Sequence, residues 1–298
     1  MTMKQKWDNL TFIPGPNKGR YPFCHSLFLD DEVKVLVDPA ADPEALKRIG
    51  EERGVDVVLL SHYHEDHWTF MSLFPKAKIF IHEADAPPMS DLNILLDFYG
   101  MTPGADETVR YCKELKNFFH YNPKPPDRVF KDNEVLSFGK TSVEVIHTPG
   151  HSPGHCCFYF REQDVLFLAD YDLTKFGPWY GDRVSDIDAL IESSKRIRTH
   201  PAKFKVTAHE AGVLIGDLEN TWRDYLAVID ARQHDLETAL RTGPKTMREI
   251  IELRLVYKKV KEPQSFFDFG ERAIMGKHLE RMIRIGTAIF QNNRYHLT

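Results

Sequence analysis

The sequence has few cysteines and no long apolar run, and each absence excludes a class of protein. The longest apolar stretches, residues 55–60 and 165–169, fall far short of the roughly 18–20 residues that a membrane-spanning helix needs. The first nine residues are polar and contain no signal-peptide core, so we expect a cytoplasmic protein with no membrane partner. Two of the four cysteines, Cys156 and Cys157, are adjacent, which is a poor disulfide framework and fits a reducing compartment.

A strong net charge is also absent. The net charge of −5 at pH 7 argues against a dedicated nucleic-acid binder. Residues 243–298 nevertheless carry eleven Lys and Arg against six Asp and Glu, a net charge of +5 that leaves −10 on the remainder. We interpret this basic end as a solvated surface in preference to a phosphate-binding one. The 298 residues, 42% hydrophobic and 28% charged, are typical of one large globular domain with a smaller appendage.

The pattern of apolar residues predicts two blocks of strands with helices between them. Period-two or continuous apolar patterns predict strands at 26–29, 33–37, 55–60, 78–82, 134–138, 142–147, 156–160, 165–168 and 204–207. Helices are predicted at 43–53, with Asp42 as N-cap, and at 185–199. Residues 84–131 are rich in proline and aromatic residues, and we interpret them as a helical insertion that caps a site. Such an order predicts two sheets with helices outside them.

From residue 217 the pattern becomes helical. One apolar face continues to Gly243-Pro244, and Thr246 with Glu249 forms a capping box that predicts a second helix to about residue 259. A third helix is predicted at 267–285, followed by a hairpin at 288–297. This is the order of a winged helix. We therefore divide the chain into a catalytic domain, residues 1–215, and a C-terminal helical domain, residues 216–298.

Histidine is unusually frequent, with fourteen copies, six of which lie in two short segments, residues 61–68 and 147–155. The segment 59–68 reads Leu-Leu-Ser-His-Tyr-His-Glu-Asp-His-Trp and follows a buried strand. Residues two apart in an extended backbone point to the same side, so His62 and His64 can hold one ion together, and Asp66 with His67 can hold another. Imidazole and carboxylate without thiolate suit zinc, iron, manganese or nickel.

Three further candidate ligands follow other predicted strands. His151 lies in the turn Thr-Pro-Gly-His at 148–151, Asp170 ends the strand at 165–169, and His209 follows the strand at 204–207. Loops at strand ends collect functional groups on a rigid scaffold. The sequence therefore predicts that these side chains gather at one edge of the sheets.

Taken in order, these four segments resemble the signature of the metallo-β-lactamase superfamily. That signature is His-x-His-x-Asp-His, a His in a Thr-Pro-Gly-His turn, a strand-ending Asp and a last His, and the resemblance covers roughly residues 20–212. It implies an α+β fold, a four-layer αβ/βα sandwich with a C-terminal helical, winged-helix-like extension. Relatives usually carry glycine where this chain has Ala169 and Ala208.

The resemblance also implies the roles of the residues. His62, His64 and His151 would hold one metal, Asp66, His67 and His209 the second, and Asp170 would bridge the two. The cofactors would be two divalent ions, zinc in the first place, with iron or manganese as alternatives. Two ions a few ångströms apart lower the pKa of a bridging water and polarise the bond that it attacks, and Asp66 would orient the resulting hydroxide as the catalytic residue.

Aromatic residues next to the candidate ligands are either walls of a substrate pocket or ordinary packed side chains. They are Trp68, Tyr171, Phe176, Trp179 and Tyr180. We interpret His147 and His155 as groups that support ligands, His82 as a structural strand-end residue, and Cys156 and Cys157 as buried small hydrophobic residues.

Four hypotheses about function follow. The leading one is a dinuclear metal hydrolase for a small ester-like molecule: a thioester, as in the glyoxalase II branch, a lactone or another carboxylic ester. The alternative is a phosphodiesterase or endoribonuclease, for which the basic end would bind phosphates of a nucleic acid. A flavodiiron-like redox protein typically has glutamate in place of His64, and a non-catalytic sensor does not fit a complete ligand set. An exposed helical tail is compatible with a homodimer.

Overall fold

The computed structural model describes residues 5–298, whose strands form two large sheets and one hairpin. The first sheet has seven strands in chain order: β1 (Lys6–Trp7), β2 (Leu10–Ile13), β3 (Ser26–Leu29), β4 (Val35–Val37), β5 (Val57–Leu59), β6 (Lys78–His82) and β7 (Arg128–Phe130). The second has six strands: β8 (Val135–Ser137), β9 (Ser142–His147), β10 (Cys156–Phe160), β11 (Val165–Ala169), β12 (Phe204–Thr207) and β13 (Val213–Ile215). The hairpin joins β14 (Ala288–Gln291) to β15 (Arg294–Leu297).

The helices lie outside the sheets and in the C-terminal segment. They are α1 (Pro16–Gly19), α2 (Pro43–Glu52), α3 (Ala86–Ser90), α4 (Leu92–Phe98), α5 (Asp106–Asn117), α6 (Ile187–Arg198), α7 (Glu219–Arg241), α8 (Met247–Glu252) and α9 (Gln264–Arg284). At α2 the Asp42 carboxylate accepts from the backbone N–H of Ala45 at 2.8 Å, and Pro43 takes the first helical position. Both features satisfy or remove orphan donors at the start of a helix.

Alternation along the strands builds four layers. Leu27 and Leu29 of β3 share the core between the two sheets with Phe158 and Phe160 of β10. Phe28 points the other way, into a core that the first sheet shares with α2. On the far side of the second sheet, a third core joins β10 and β11 to α6 and α7. The predicted four-layer fold is therefore confirmed, and no helix within residues 5–298 is long and apolar enough to cross a membrane.

Parallel pairing places loop ends at a common edge. Strands β4, β5, β6 and β7 pair in parallel, as do β11 and β12 in the other sheet. Because the carboxyl ends of parallel neighbours meet, the loops after β4 and β5 come together, and so do the loops after β11 and β12. These are the loops that carry most of the candidate ligands.

The structure differs from the sequence prediction at three places. Residues 128–130, expected to belong to the helical insertion, form β7, an edge strand with two exposed residues and therefore little apolar signal. Strands β1, β2 and β13 were not predicted. The helix expected over 246–259 ends at Glu252, because Arg254 and Lys258 adopt positive φ and turn the chain. The order of C-terminal helices and hairpin matches the expectation.

Candidate metal centre

Four loops at the strand ends bring the seven candidate ligands together. His62 and His64 follow β5, and Asp66 and His67 lie in a 3₁₀ turn directly after them. His151 lies in the turn between β9 and β10, Asp170 follows β11, and His209 follows β12. We call His62, His64, His151 and Asp170 the first cluster, and Asp66, His67, His209 and Asp170 the second cluster.

The first cluster is compact. Nε2 of His151 lies 3.1 Å from Nε2 of His62 and 3.0 Å from Nδ1 of His64. Oδ2 of Asp170 lies 3.3 Å from the same His151 nitrogen and 3.9 Å from Nε2 of His62. One ligand atom from each of the four side chains lies within 4.8 Å of the others, a spacing that suits a single ion.

The second cluster shares Asp170 through its other oxygen. Oδ1 of Asp170 lies 2.9 Å from Nε2 of His67 and 3.4 Å from Nε2 of His209. The two imidazole nitrogens are 3.2 Å apart, and Oδ2 of Asp66 lies 3.7 Å from that of His209. The Asp170 carboxylate thus lies between the clusters, with one oxygen toward each.

Hydrogen bonds on the outer side of each imidazole assign its tautomer. Ser61 Oγ donates to Asp38 at 2.6 Å, so it accepts from Nδ1 of His62 at 2.9 Å. The other four rings donate outward to acceptors only: His64 Nε2 to Asp182, His67 Nδ1 to Asp38, His151 Nδ1 to the Trp179 carbonyl, and His209 Nδ1 to the Gly19 carbonyl. A neutral imidazole that donates at one nitrogen presents a lone pair at the other, so all five rings direct a lone pair into the clusters.

These observations test whether the residues fit a metal. Bare nitrogens about 3 Å apart repel one another unless a cation lies between them. Oδ1 of Asp170 is buried and makes no hydrogen bond within the described chain. Burial opposes ionisation of this carboxyl, yet His67 and His209 hold its pKa well below its ordinary value. Burial likewise holds the pKa of His62 well below its ordinary value. Burial opposes protonation of His64, His67 and His209 as well, yet neighbouring carboxylates raise the pKa of all three rings. Buried carboxylates among five imidazoles form a donor set that fits divalent cations.

Two carboxylates that the sequence analysis missed orient these ligands. Asp38 is fully buried and accepts from His67 at 2.8 Å and from the Ser61 backbone at 2.8 Å. Asp182 accepts from His64 at 2.5 Å and from the Tyr63 hydroxyl at 2.6 Å. The sequence offered one indication of Asp38, because this residue follows a predicted strand, as the candidate ligands do. Asp182 lies in a loop with no such signal.

The backbone before Asp170 shows why relatives usually carry glycine at the position of Ala169. Ala169 has a φ of 48°, in the left-handed region that glycine enters most easily, and the pairing of β11 with β12 is irregular between Phe167 and Ala169. This bend turns the chain where Asp170 begins. Ala208 shows no positive φ and is fully buried.

Three of the five predicted pocket residues have no free surface, which corrects that interpretation. Trp68 is 1% exposed and packs in the core beneath the insertion, where its Nε1 donates to the Tyr63 carbonyl. Tyr171 and Tyr180 are 2% and 0% exposed and lie in the core next to the C-terminal helices. Phe176 is partly exposed, and Trp179 contacts the centre through its carbonyl.

Three further histidines considered in the sequence analysis make structural contacts. Nε2 of His155 accepts from the backbone N–H of Asp170 at 3.2 Å, and its ring is fully packed beside His62. His147 stacks on His82 with ring centroids 4.0 Å apart, and His82 accepts from the Ala84 backbone at the strand end. Cys156 and Cys157 are buried free thiols.

Comparison with known proteins gives a consistent family. The model of the Metallo-beta-lactamase superfamily matches residues 20–209. The chain is 27% identical over 152 residues to the atrochrysone carboxyl ACP thioesterase of Aspergillus fumigatus, covering 50% of this chain and 45% of that protein. It is 29% identical over 161 residues to Glyoxylase B2 of Dictyostelium discoideum, covering 50% and 47%. The chain thus spans about half the length of these relatives.

A solved structure is similar over nearly the whole chain. A metallo-beta-lactamase family protein from Thermus thermophilus superposes with a TM-score of 0.70 at 25% identity, covering 97% of this chain and 99% of that one. The similarity therefore extends beyond the matched residues 20–209 into the C-terminal helices and hairpin.

Proposed function

Because the chain belongs to the metallo-beta-lactamase superfamily, we propose that it is a hydrolase that uses two divalent metal ions to cleave a small ester-like substrate. The observation that carries this proposal is the position of Asp170, whose two oxygens face different clusters of histidines. His62, His64 and His151 would hold one ion, Asp66, His67 and His209 the other, and Asp170 both. When bound, the ions lower the pKa of a water molecule and polarise the substrate carbonyl.

The protein's own groups supply orientation. Asp66 and His209 are each 8% exposed and His64 is 6% exposed, whereas His62 and His67 are fully buried, so each cluster reaches solvent through some of its side chains. A water molecule beside the second cluster would lie within reach of Asp66, whose carboxylate would accept one of its hydrogens and aim its oxygen at the carbonyl carbon. Cleavage of the ester or thioester then leaves a carboxylate and an alcohol or thiol.

Charge pairing favours a carboxylic ester over a phosphodiester. Eight of the eleven cations in residues 243–298 form ion pairs with carboxylates: Arg248, Arg254, Lys258, Arg272, Lys277, Arg281, Arg284 and Arg294. Several of the partners, such as Asp188 and Glu107, belong to the rest of the chain. Since these cations are already neutralised, the excess of +5 is a poor phosphate-binding surface.

Within the class of esters, we favour a thioester. This choice is supported by the names of the two relatives, a thioesterase and a glyoxylase. Zinc is our first choice of ion. Iron and manganese are alternatives, because the same nitrogen and oxygen ligands accept all three metals.

The proposal is tested by turnover of four substrates by metal-replete protein: S-lactoylglutathione, an acyl-homoserine lactone, bis-p-nitrophenyl phosphate and single-stranded RNA. Asp170→Ala is the control, and we expect it to lower turnover by orders of magnitude and to deplete the metal. Activity confined to the first two substrates supports the proposal. Activity confined to the phosphodiesters, or full metal and turnover in the variant, contradicts it.

A further inference from the structure

The loop between β11 and α6 holds two of the candidate ligands in place. We call residues 171–186 the support loop. Within it, the Trp179 carbonyl accepts from Nδ1 of His151 at 3.0 Å, and Asp182 accepts from Nε2 of His64 at 2.5 Å. The loop contains no helix or strand, and its internal backbone hydrogen bonds, Gly177 to Thr174 and Ser185 to Asp182, do not involve either acceptor group. Contacts from outside the loop therefore contribute to the position of these acceptors.

Arg232 of α7 makes the contacts that hold the middle of this loop. Its side chain donates from Nη2 to the Phe176 carbonyl at 2.7 Å and from Nη1 to the Pro178 carbonyl at 3.1 Å. Nη1 also lies 3.2 Å from the Tyr180 hydroxyl, and the guanidinium carbon lies 4.7 Å from the centre of the Phe176 ring. The arginine thus contacts the loop on both sides of Trp179.

The burial of Arg232 argues for a specific role. The residue is 3% exposed, and among the described residues no carboxylate oxygen lies within 4.0 Å of it. A buried charge without an ion-pair partner is costly, and hydrogen bonds to carbonyl oxygens offset part of that cost. The rigid planar fork of arginine donates to the two carbonyls in a fixed geometry, which the flexible ammonium of lysine does not reproduce.

We propose that Arg232 is a positioning residue for the metal centre, which fixes the support loop so that the Trp179 carbonyl holds the His151 ring. The inference rests on the proposed function, because it takes His151 to be a metal ligand. It also assigns a role to α7, which lies in the segment that we separated from the catalytic domain at residue 216. In this view the C-terminal helices complete the centre.

The test measures metal affinity in the full-length protein. Zn²⁺ is titrated against a competing chelator into the wild type and into Arg232→Met, Arg232→Lys, His151→Ala and Arg223→Met. His151→Ala identifies the binding step that belongs to the first cluster. Groups that orient ligands typically contribute about 10–100-fold to metal affinity, so Arg232→Met should weaken that step by about this factor and leave the other step unchanged.

The other two variants separate positioning from general stability. Arg232→Lys keeps the charge but reaches one carbonyl, so it should recover part of the affinity, and it remains informative if the methionine variant does not fold. Arg223→Met is the matched control, because Arg223 lies on the same helix and hydrogen-bonds to Asn220 and Asp224 of that helix, away from the support loop; it should leave both steps unchanged. Equal weakening of both steps, or unchanged affinity in both Arg232 variants, would overturn the inference.

The titration also separates the inference from the proposed function. A wild type that binds two Zn²⁺ ions but hydrolyses none of the four substrates contradicts the proposed function and leaves the positioning role supported by its affinity data. A wild type that binds no Zn²⁺ overturns both.

Discussion

Nε2 of His64 donates to Oδ2 of Asp182 at 2.5 Å, although 118 residues separate the two in sequence. The contact turns Nδ1 of His64 toward His151. His62, two residues earlier, uses Nε2 instead. His62 and His64 thus approach Nε2 of His151 through different ring nitrogens. Which nitrogen of His64 faces His151 depends on Asp182, which lies in the loop after β11 of the second sheet.

We predict that Asp182→Ala lowers metal affinity by about 10–100-fold, since the His64 ring loses the acceptor that sets its orientation. The buried Tyr63 hydroxyl loses its acceptor as well, which should lower the free energy of unfolding by about 1–3 kcal/mol. Chelator competition and urea denaturation measure the two effects. Asp97→Ala is the control, because Asp97 is an exposed carboxylate that pairs with Arg183. Equal effects of the two substitutions would contradict the prediction.

The second prediction concerns Glu65, a buried residue inside the histidine motif. Its carboxylate accepts from Tyr21 at 3.1 Å and from Tyr99 of the insertion, while burial and the nearby Asp66 raise its pKa. Tyr99→Phe removes one of these donors but keeps the ring that stacks on His64. It should lower the free energy of unfolding by about 1–3 kcal/mol in denaturant titrations.

Tyr111→Phe is the matched control for Tyr99→Phe. The Tyr111 hydroxyl is also buried near this carboxylate, but it makes no hydrogen bond within the described chain. Its removal should therefore be neutral or slightly stabilising. If Tyr111→Phe proves as costly as Tyr99→Phe, the hydrogen bond to Glu65 is not the source of the stability.

The sequence was sufficient to predict which side chains converge, and the reason is geometric. All seven candidate ligands follow strands, and six of them follow β5, β11 or β12, each of which has a parallel neighbour that ends at the same edge of its sheet. His151 follows β9, which is antiparallel to both neighbours, and was predicted from its turn motif. Asp182 could not be found in this way, because its position depends on a loop whose shape is set by α7 and not by a local pattern. The aromatic residues were misplaced for a related reason. Trp68 and Tyr171 follow ligands directly in sequence, and a chain that points one side chain into the centre points the next one into the core.

The third prediction concerns the bend at Ala169. An L-residue in the left-handed region costs roughly 1–2 kcal/mol, and a β-branched side chain is accommodated there far less well than alanine. Ala169→Val should therefore lower the free energy of unfolding by more than about 2 kcal/mol and deplete the metal by displacing Asp170. Ala169→Gly relieves the strain but increases the conformational entropy of the unfolded chain. Its free energy of unfolding should therefore stay within about 1 kcal/mol of the wild-type value. Calorimetry and metal analysis distinguish them, and equal behaviour would show that φ at residue 169 is not limiting.

The fourth prediction is a pH dependence of stability that comes from His278 of α9. Burial lowers the pKa of this histidine to about 3, with Arg232 and Arg281 acting in the same direction. Below the ordinary pKa of about 6.5 the unfolded chain binds a proton at this position and the folded chain does not, so the stability falls as the pH decreases toward 3. The contribution to the slope approaches about 1.4 kcal/mol per pH unit.

Urea denaturation at pH 7, 6 and 5 measures this slope. His25 and His82 also have a pKa lowered to about 4 and contribute a slope of the same sign, whereas burial raises the pKa of Asp85 to about 6 and contributes the opposite sign, so the wild type has a background slope that the variant shares. His278→Asn should reduce the slope by the contribution of one histidine and leave that background. Identical slopes in the two proteins would show that His278 takes up its proton in the folded state as readily as in the unfolded one.

The last prediction concerns removal of the metal. Ions that bind the folded chain and not the unfolded one stabilise it by about 2.7 kcal/mol when the free ion is at 100 times its Kd. Removal also leaves Oδ1 of Asp170 buried without a hydrogen bond and the ring nitrogens of the five histidines about 3 Å apart with no ion between them. A chelator should therefore lower the Tm by on the order of 5–10 °C, given that 1 kcal/mol corresponds to about 2–4 °C for chains of roughly this size. Asp170→Ala should lose most of this response, because both clusters share that carboxylate, and differential scanning calorimetry with and without chelator measures it. A chelator shift that is the same in the variant would place the stabilising ions somewhere other than between these two clusters.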